Sequence, residues 1–144
     1  VFGTSMAALG QNICVIIASK SSKEVRKFNK ERSIRSVQKA CSIIKQSRIA
    51  PFVEKLILYG SAARGEQTYS SDIDLLLVLK DTDEIQTHRA YLYMLKSELT
   101  SLEDDLPDID LNIVVGNDWE KNEDLYYKDI RREGIDVWKN EAHI

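Results

Sequence analysis

The sequence predicts an α/β domain, a small sheet flanked by helices. Three observations lead there. Apolar runs of strand length (residues 53–59, 73–79 and 108–115) alternate with stretches whose apolar residues recur at 3- and 4-residue steps. In the second run, Leu75-Leu76-Leu77-Val78-Leu79 is apolar without alternation, the mark of a central strand covered on both faces. The chain of 144 residues suffices for one such core and leaves little room for a second.

In chain order, Val1 to Ser5 precede Met6, and part of this stretch is expected to be foreign to the native chain. Ile13 to Ala18 is too short to assign between strand and buried helix turn. Residues 21–31 are charged and helix-prone, with Val25 and Phe28 three apart. Ile34, Val37, Cys41 and Ile44 then form the stripe of an amphipathic helix. The six-residue step from Phe28 to Ile34 interrupts that stripe, so a bend or a new helix is expected near Ser33, a suitable N-cap. This divides the chain into a basic, partly helical N-terminal extension (1–32) and a main domain (33–144). Pro51 ends the helix, because the residue before a proline resists helical geometry. After the second strand, Asp81 and Thr82 can cap a helix with Ile85, Leu92, Leu95, Leu99 and Leu102 on one side. In the third strand Asp108, Asp110 and Asn112 share a face opposite Ile109, Leu111 and Ile113. A final helix is expected over residues 120–133 with Gly134 as its stop, followed by a short strand or packed tail at Ile135, Val137 and Trp138.

Charge is unevenly spread. Residues 1–50 hold ten Lys/Arg against two Asp/Glu (+8), whereas residues 51–144 hold ten against twenty-one (−11). An acidic body is unsuited to gripping nucleic acid, so nucleic acid is not the expected partner; the basic arm fits an acidic partner or its own domain's acidic surface. No apolar run approaches the ~20 residues of a membrane span, and with no leader pattern the expected location is the cytoplasm. Cys14 and Cys41 are too few for a disulfide framework or a cysteine metal cluster and read as free thiols. His88 falls beside Ile85 and Leu92 as a boundary packing residue, and Tyr126, Tyr127 and both tryptophans are expected to pack rather than stack on bases.

The chemistry concentrates at Leu58-Tyr59-Gly60-Ser61-Ala62-Ala63-Arg64-Gly65 and Ser71-Asp72-Ile73-Asp74-Leu75. Gly60 frees the backbone for a sharp turn. Ser61 then stands at a helix start, where unsatisfied N–H groups and the helix dipole favour an anion. Asp72 and Asp74, two apart in a strand, point the same way while Ile73 and Leu75 point to the core. Two carboxylates beside a phosphate cradle make a divalent-metal site for a nucleoside triphosphate. Acids entering a buried apolar strand are costly without counter-charge, which argues against a merely solvated strand end. Arg64 can reach the phosphates or pair with Asp72. The segment is no Walker loop, since no Gly-Lys-Ser/Thr follows.

Gly60-Ser61, ten residues, then Asp72-x-Asp74, with Arg64-Gly65 between, resembles the signature of the DNA-polymerase-β-like nucleotidyltransferases. Within them the chain is most similar to the minimal nucleotidyltransferases, many of them antitoxins paired with HEPN toxins; the resemblance spans roughly residues 33–138. It implies a polymerase-β-like fold with a small mixed sheet, and Mg²⁺-dependent transfer of NMP from ATP or another NTP. Gly60, Ser61 and Arg64 would bind nucleotide, and Asp72, Asp74 and Asp110 would be the catalytic acids holding two Mg²⁺ ions. Asp110, flanked by Ile109 and Leu111, matches the family's third acid, although Asp108 shares its face and a two-residue shift would exchange them. The implied acceptor is a tyrosine hydroxyl of a HEPN-type toxin. Alternatives are a small-molecule (antibiotic) acceptor, against which the lack of room for an added helical domain counts, and a non-catalytic binding module. The oligomeric state stays open, a homo-oligomer among the options.

Overall fold

The computed structural model describes residues 21–100 and 105–140. Residues 1–5, the run Ile13 to Ala18, Cys14, Leu102 and His143, singled out above, lie outside them. The Ser21 hydroxyl accepts the Glu24 N–H (3.2 Å) and donates to the Glu24 carboxylate (3.3 Å), a helix start capped from both sides. From there one helix, α1 (Ser22–Lys45), runs without interruption. The break expected near Ser33 is absent. Ser33 sits mid-helix and its hydroxyl donates to the Asn29 carbonyl one turn back (3.0 Å). The buried stripe does not stop at Phe28; it continues through Asn29, Arg32, Ser33 and Ser36 into Val37, Ala40, Cys41 and Ile44. Those first members are polar, so apolar periodicity misses them.

Arg32 explains how such a stripe is tolerated. Its side chain is buried, with Nε donating to the Asp105 carbonyl and Nη1 to the Tyr69 carbonyl, both at 2.9 Å. The guanidinium also lies 4.0 Å from the centre of the Tyr69 ring, and the Ser36 hydroxyl donates to the Pro107 carbonyl (3.0 Å). Helix α1 is thereby fastened to the loops that precede the second and third strands. Arg32→Ala strands two carbonyls and removes packing, so it is expected to cost about 2–4 kcal/mol, read as a lowered thermal midpoint. Arg32→Lys should recover only part of it, because an ammonium cannot span both carbonyls and stack. A midpoint unchanged in Arg32→Ala would refute the fastening role.

Among the described residues four strands form one sheet: β1 (Val53–Tyr59), β2 (Ile73–Leu79), β3 (Ile109–Val115) and β4 (Ile135–Asp136), in the order β3-β2-β1-β4. β1 runs antiparallel to β2 and to β4, and β2 runs parallel to β3, so the sheet is mixed. A parallel pair needs a long crossover. Here it is a 3₁₀ turn (Asp83–His88) leading into helix α3 (Arg89–Thr100), preceded in the chain by the four-residue helix α2 (Ser61–Arg64). Thr82 occupies the cap position but makes no side-chain cap bond, contrary to expectation. His88 packs at the boundary as expected, tilted against Phe52 with ring centres 5.7 Å apart.

The central strands β1 and β2 are covered on both sides. One face (Leu56, Leu58, Ile73, Leu75, Leu77, Leu79, Ile109, Leu111) packs on α1 through Val37, Cys41 and Ile44, on the 3₁₀ turn through Ile85, and on α3 through Leu95 and Leu99. The other (Ile57, Leu76, Val78, with Tyr59) packs on Trp119 and Ile130. Ile130 belongs to helix α4 (Leu125–Glu133), which starts later than the expected residue 120. Residues 118–120 instead make a single 3₁₀ turn, and the Asn122 side chain accepts the Asp124 N–H (2.9 Å), a local turn that delays the helix. Gly134 does end α4, but at an ordinary φ of −67°. A Cβ there would collide with the Ile130 carbonyl and with Ile57 Cγ2, so glycine is needed for close approach to β1, not for a left-handed turn. A last turn of helix, α5 (Val137–Asn140), follows β4. No described helix is long and apolar enough to cross a membrane.

Candidate functional site

At one end of the sheet the strand register sets three polar residues side by side. Tyr59 pairs with Asp74, and Asp74 pairs with Asp110, so all three lie in one row across β1, β2 and β3. Asp108 precedes β3 and has no place in the row; its carbonyl accepts the Ile73 N–H (2.8 Å). Asp72 stands just before β2, exposed, while Asp74 is half-buried. Burial pushes the Asp74 carboxyl above its ordinary range, and the neighbouring charges of Asp110, then Asp72, push it further, with Glu133 also contributing; Arg64 opposes them. Asp74 is therefore the focus of a negative field with incomplete compensation.

Directly beside it runs the Gly60-Ser61 turn. Gly60 has φ +76°, and a Cβ on it would collide with the Asp74 carboxylate. Only glycine allows the backbone to pass here. Ser61 follows as the first residue of α2, and among the described residues its hydroxyl has no hydrogen-bond partner. Arg64 does not pair with Asp72. Its Nε donates to Glu66 (3.0 Å) and its Nη1 to both carboxylate oxygens of Glu133 (3.1 and 3.2 Å). The Gly60 N–H donates to the same Glu133 carboxylate (3.1 Å). Ser71 serves the turn before Asp72: its hydroxyl accepts the Thr68 N–H (2.9 Å) and bonds the Thr68 hydroxyl.

One residue pair further along the same face lies a hydrogen-bonded group that joins Asn112 to two tyrosines. Asn112 Nδ2 donates to the hydroxyls of Tyr59 (3.2 Å) and Tyr126 (3.0 Å), which are 2.7 Å apart. Burial raises the Tyr59 phenol far above its usual range, so it stays a neutral hydrogen-bonding group. Tyr126, on α4, is partly exposed at the rim of the acidic row. A separate groove of about 420 Å³ opens between α3 and β3, lined by Arg89, Leu92, Tyr93, Lys96, Asn112 and Val115 among others. It reaches the acidic face only through Asn112.

Residues 38–141 match the family described as "Polymerase beta, Nucleotidyltransferase". The chain belongs to that family. Its mixed four-stranded sheet with flanking helices is the polymerase-β-like nucleotidyltransferase fold. Among solved structures, a Sulfolobus solfataricus protein assigned as a nucleotidyltransferase aligns at 20% identity over 83% of this chain and 88% of its own, with a TM-score of 0.44. A structure described as a toxin-antitoxin with AMP-PNP aligns at 20% identity over 76% of this chain and 77% of its own, with a TM-score of 0.49. A comparison with curated protein sequences finds no match.

For this nucleotidyltransferase, the six residues expected from sequence fall into two adjoining groups, the acids Asp72, Asp74 and Asp110 and the turn Gly60, Ser61 and Arg64, joined where Gly60 abuts Asp74. Among the described residues no three His, Cys, Asp or Glu side chains form a ready cage for a cation. The donor set nevertheless suits Mg²⁺, which takes hard oxygen ligands, keeps waters and shares substrate phosphates instead of filling an all-protein cage. Mutual repulsion focused on Asp74 also points to a site short of positive charge. Glu133 and the Asn112–Tyr59–Tyr126 group are the residues that sequence reasoning missed.

Proposed function

We propose that the protein transfers a nucleotidyl group, AMP from ATP, to a hydroxyl acceptor in a Mg²⁺-dependent reaction, and that the acceptor is a tyrosine on a partner toxin of the HEPN type. The observation that carries the reaction is the row Asp74–Asp110 in strand register beside the Gly60-Ser61 turn. In this reading Asp72, Asp74 and Asp110 hold two Mg²⁺ ions. When bound there, the metal would supply positive charge to stabilise the transferring phosphate. Ser61 donates its hydroxyl to the triphosphate, Gly60 keeps the backbone close to it, and Arg64 contributes positive charge. The acceptor oxygen forms a bond to the α-phosphorus, the α–β bridging bond breaks, and pyrophosphate leaves. Asp110 accepts the hydroxyl proton. The partner and the tyrosine rest on the resemblance of the Gly60-Ser61/Asp72-x-Asp74 signature to antitoxin nucleotidyltransferases.

The test is incubation with [α-³²P]ATP, MgCl₂ and the toxin encoded beside this gene. Label on a toxin tyrosine, lost with EDTA, is the expected result. Toxin masked without label would support a contact-only module and overturn the enzyme reading. In the same assay Asp110→Asn should lose transfer by about 10³-fold, the several kcal/mol of metal-centred stabilisation. Asp108→Asn should stay within a few-fold of the parent. The reverse order would move the third acid to position 108.

A further inference from the structure

We propose that Glu133 sets nucleotide affinity by occupying the donors of the phosphate turn, so that an incoming triphosphate has to displace its carboxylate. The inference rests on the reading of Gly60 to Arg64 as the phosphate site. It stands on three contacts converging on one side chain: the Gly60 N–H on Oε1 (3.1 Å), and Arg64 Nη1 on Oε1 (3.1 Å) and Oε2 (3.2 Å). A carboxylate held by a backbone N–H and a guanidinium is chemically close to a phosphate held by the same groups. One N–H cannot serve both at full strength.

Several features show that this contact is built in. The Glu133 side chain is only 13% exposed, whereas its rival for Arg64, Glu66, is 65% exposed. Glu133 closes α4, and Gly134 behind it permits an approach to Ile57 that no Cβ would allow, which pins that helix end against β1. An acid in the last turn opposes the helix dipole, so helix stability does not account for it. It also adds negative charge beside Asp74. Burial by itself would raise the Glu133 carboxyl, but the bonds from Arg64 and the Gly60 N–H outweigh it and hold it below the usual range. The competitor is therefore charged throughout the neutral range.

The two ligands compete for the same donors, so Glu133→Gln keeps the shape, removes the charge and frees Arg64. The experiment is titration calorimetry of the full chain with ATP and, separately, with inorganic tripolyphosphate, both with Mg²⁺. The expected result is about five- to tenfold tighter binding of both probes to Glu133→Gln, the gain from releasing one charge-assisted contact. Glu66→Gln should shift affinity less than twofold, and in an Arg64→Ala background the gain from Glu133→Gln should shrink to what the Gly60 N–H alone returns. In turnover, KM for ATP should fall while kcat does not rise. Glu133→Ala, carried in parallel, guards against a folding failure in one variant. Parent binding with no gain in either variant overturns this inference alone. Weaker binding in both variants makes Glu133 a support of the turn and also overturns it. If parent and variants bind neither probe, the phosphate-site reading falls and takes this one with it.

Discussion

Asp74→Asn should abolish nucleotidyl transfer without harming the fold. The loss is expected to be at least about 10³-fold in kcat/KM, because in the proposed reaction the central acid of the row would no longer help bind the metal that neutralises the phosphates. Stability should move the other way. Asp74 shares its surroundings with Asp110, Asp72 and Glu133, and only Arg64 opposes them. In the folded chain its carboxyl keeps its proton to higher pH than in the unfolded chain, where it titrates near ~3.9. Between those two values the folded state binds more protons, so stability falls as pH rises, and the penalty is fully present above the folded-state value. Asparagine removes the charge. Thermal midpoints measured in EDTA from pH 4 to 7.5 should fall more steeply with pH in the parent than in Asp74→Asn, with the variant equal or higher at pH 7.5. Saturating Mg²⁺ should reverse that order by stabilising only the parent. An active Asp74→Asn protein would remove the basis for the proposed chemistry.

Gly60→Ala is expected to damage both activity and stability. Its φ of +76° strains any L side chain, and the new methyl would meet the Asp74 carboxylate itself. The backbone term and the displacement together should cost about 1–3 kcal/mol, seen as a thermal midpoint lower by several degrees. Transfer should fall with it, since the turn and the acid are forced apart. Gly65 is the matched control: φ is +73° with open space where a Cβ would go. Gly65→Ala should therefore show the backbone strain alone, about 1 kcal/mol, and retain most activity. Equal effects at the two positions would show that contact with Asp74 does not matter.

The strands were legible in the sequence because their signal is local: runs such as Leu75–Leu79 and the alternation of Ile109, Leu111 and Ile113 state strand and face at once. The adjoining acids and glycine turn were legible for the same reason, as a short contiguous motif. Helix α1 does not read as one helix in the sequence because its stripe changes chemistry midway. Arg32 and Ser36 are buried by pairing with carbonyls more than 30 residues away, and periodicity of apolar residues cannot register such partners. Glu133 was invisible for a related reason. It reads as a charged residue near a helix end, and only folding brings it 3.1 Å from the amide of Gly60, 73 positions earlier. Asn112, Tyr59 and Tyr126 likewise acquire meaning only together. Gly134 was recognised as a stop but for the wrong cause, since steric fit against Ile57 is a tertiary property.

The Tyr59–Asp74–Asp110 row also makes chain alignment its own safeguard. Side chains alternate between faces with every step along a strand, so sliding β2 by a single position would drive Asp74 in among the leucines and turn Leu75 outward. The same mistake would bury an uncompensated charge, a heavy penalty in an apolar interior. Misthreaded sheets are thus selected against during folding by the very groups proposed to do chemistry afterwards. A lone insertion inside Ile73–Leu79 should therefore yield neither catalyst nor stable domain.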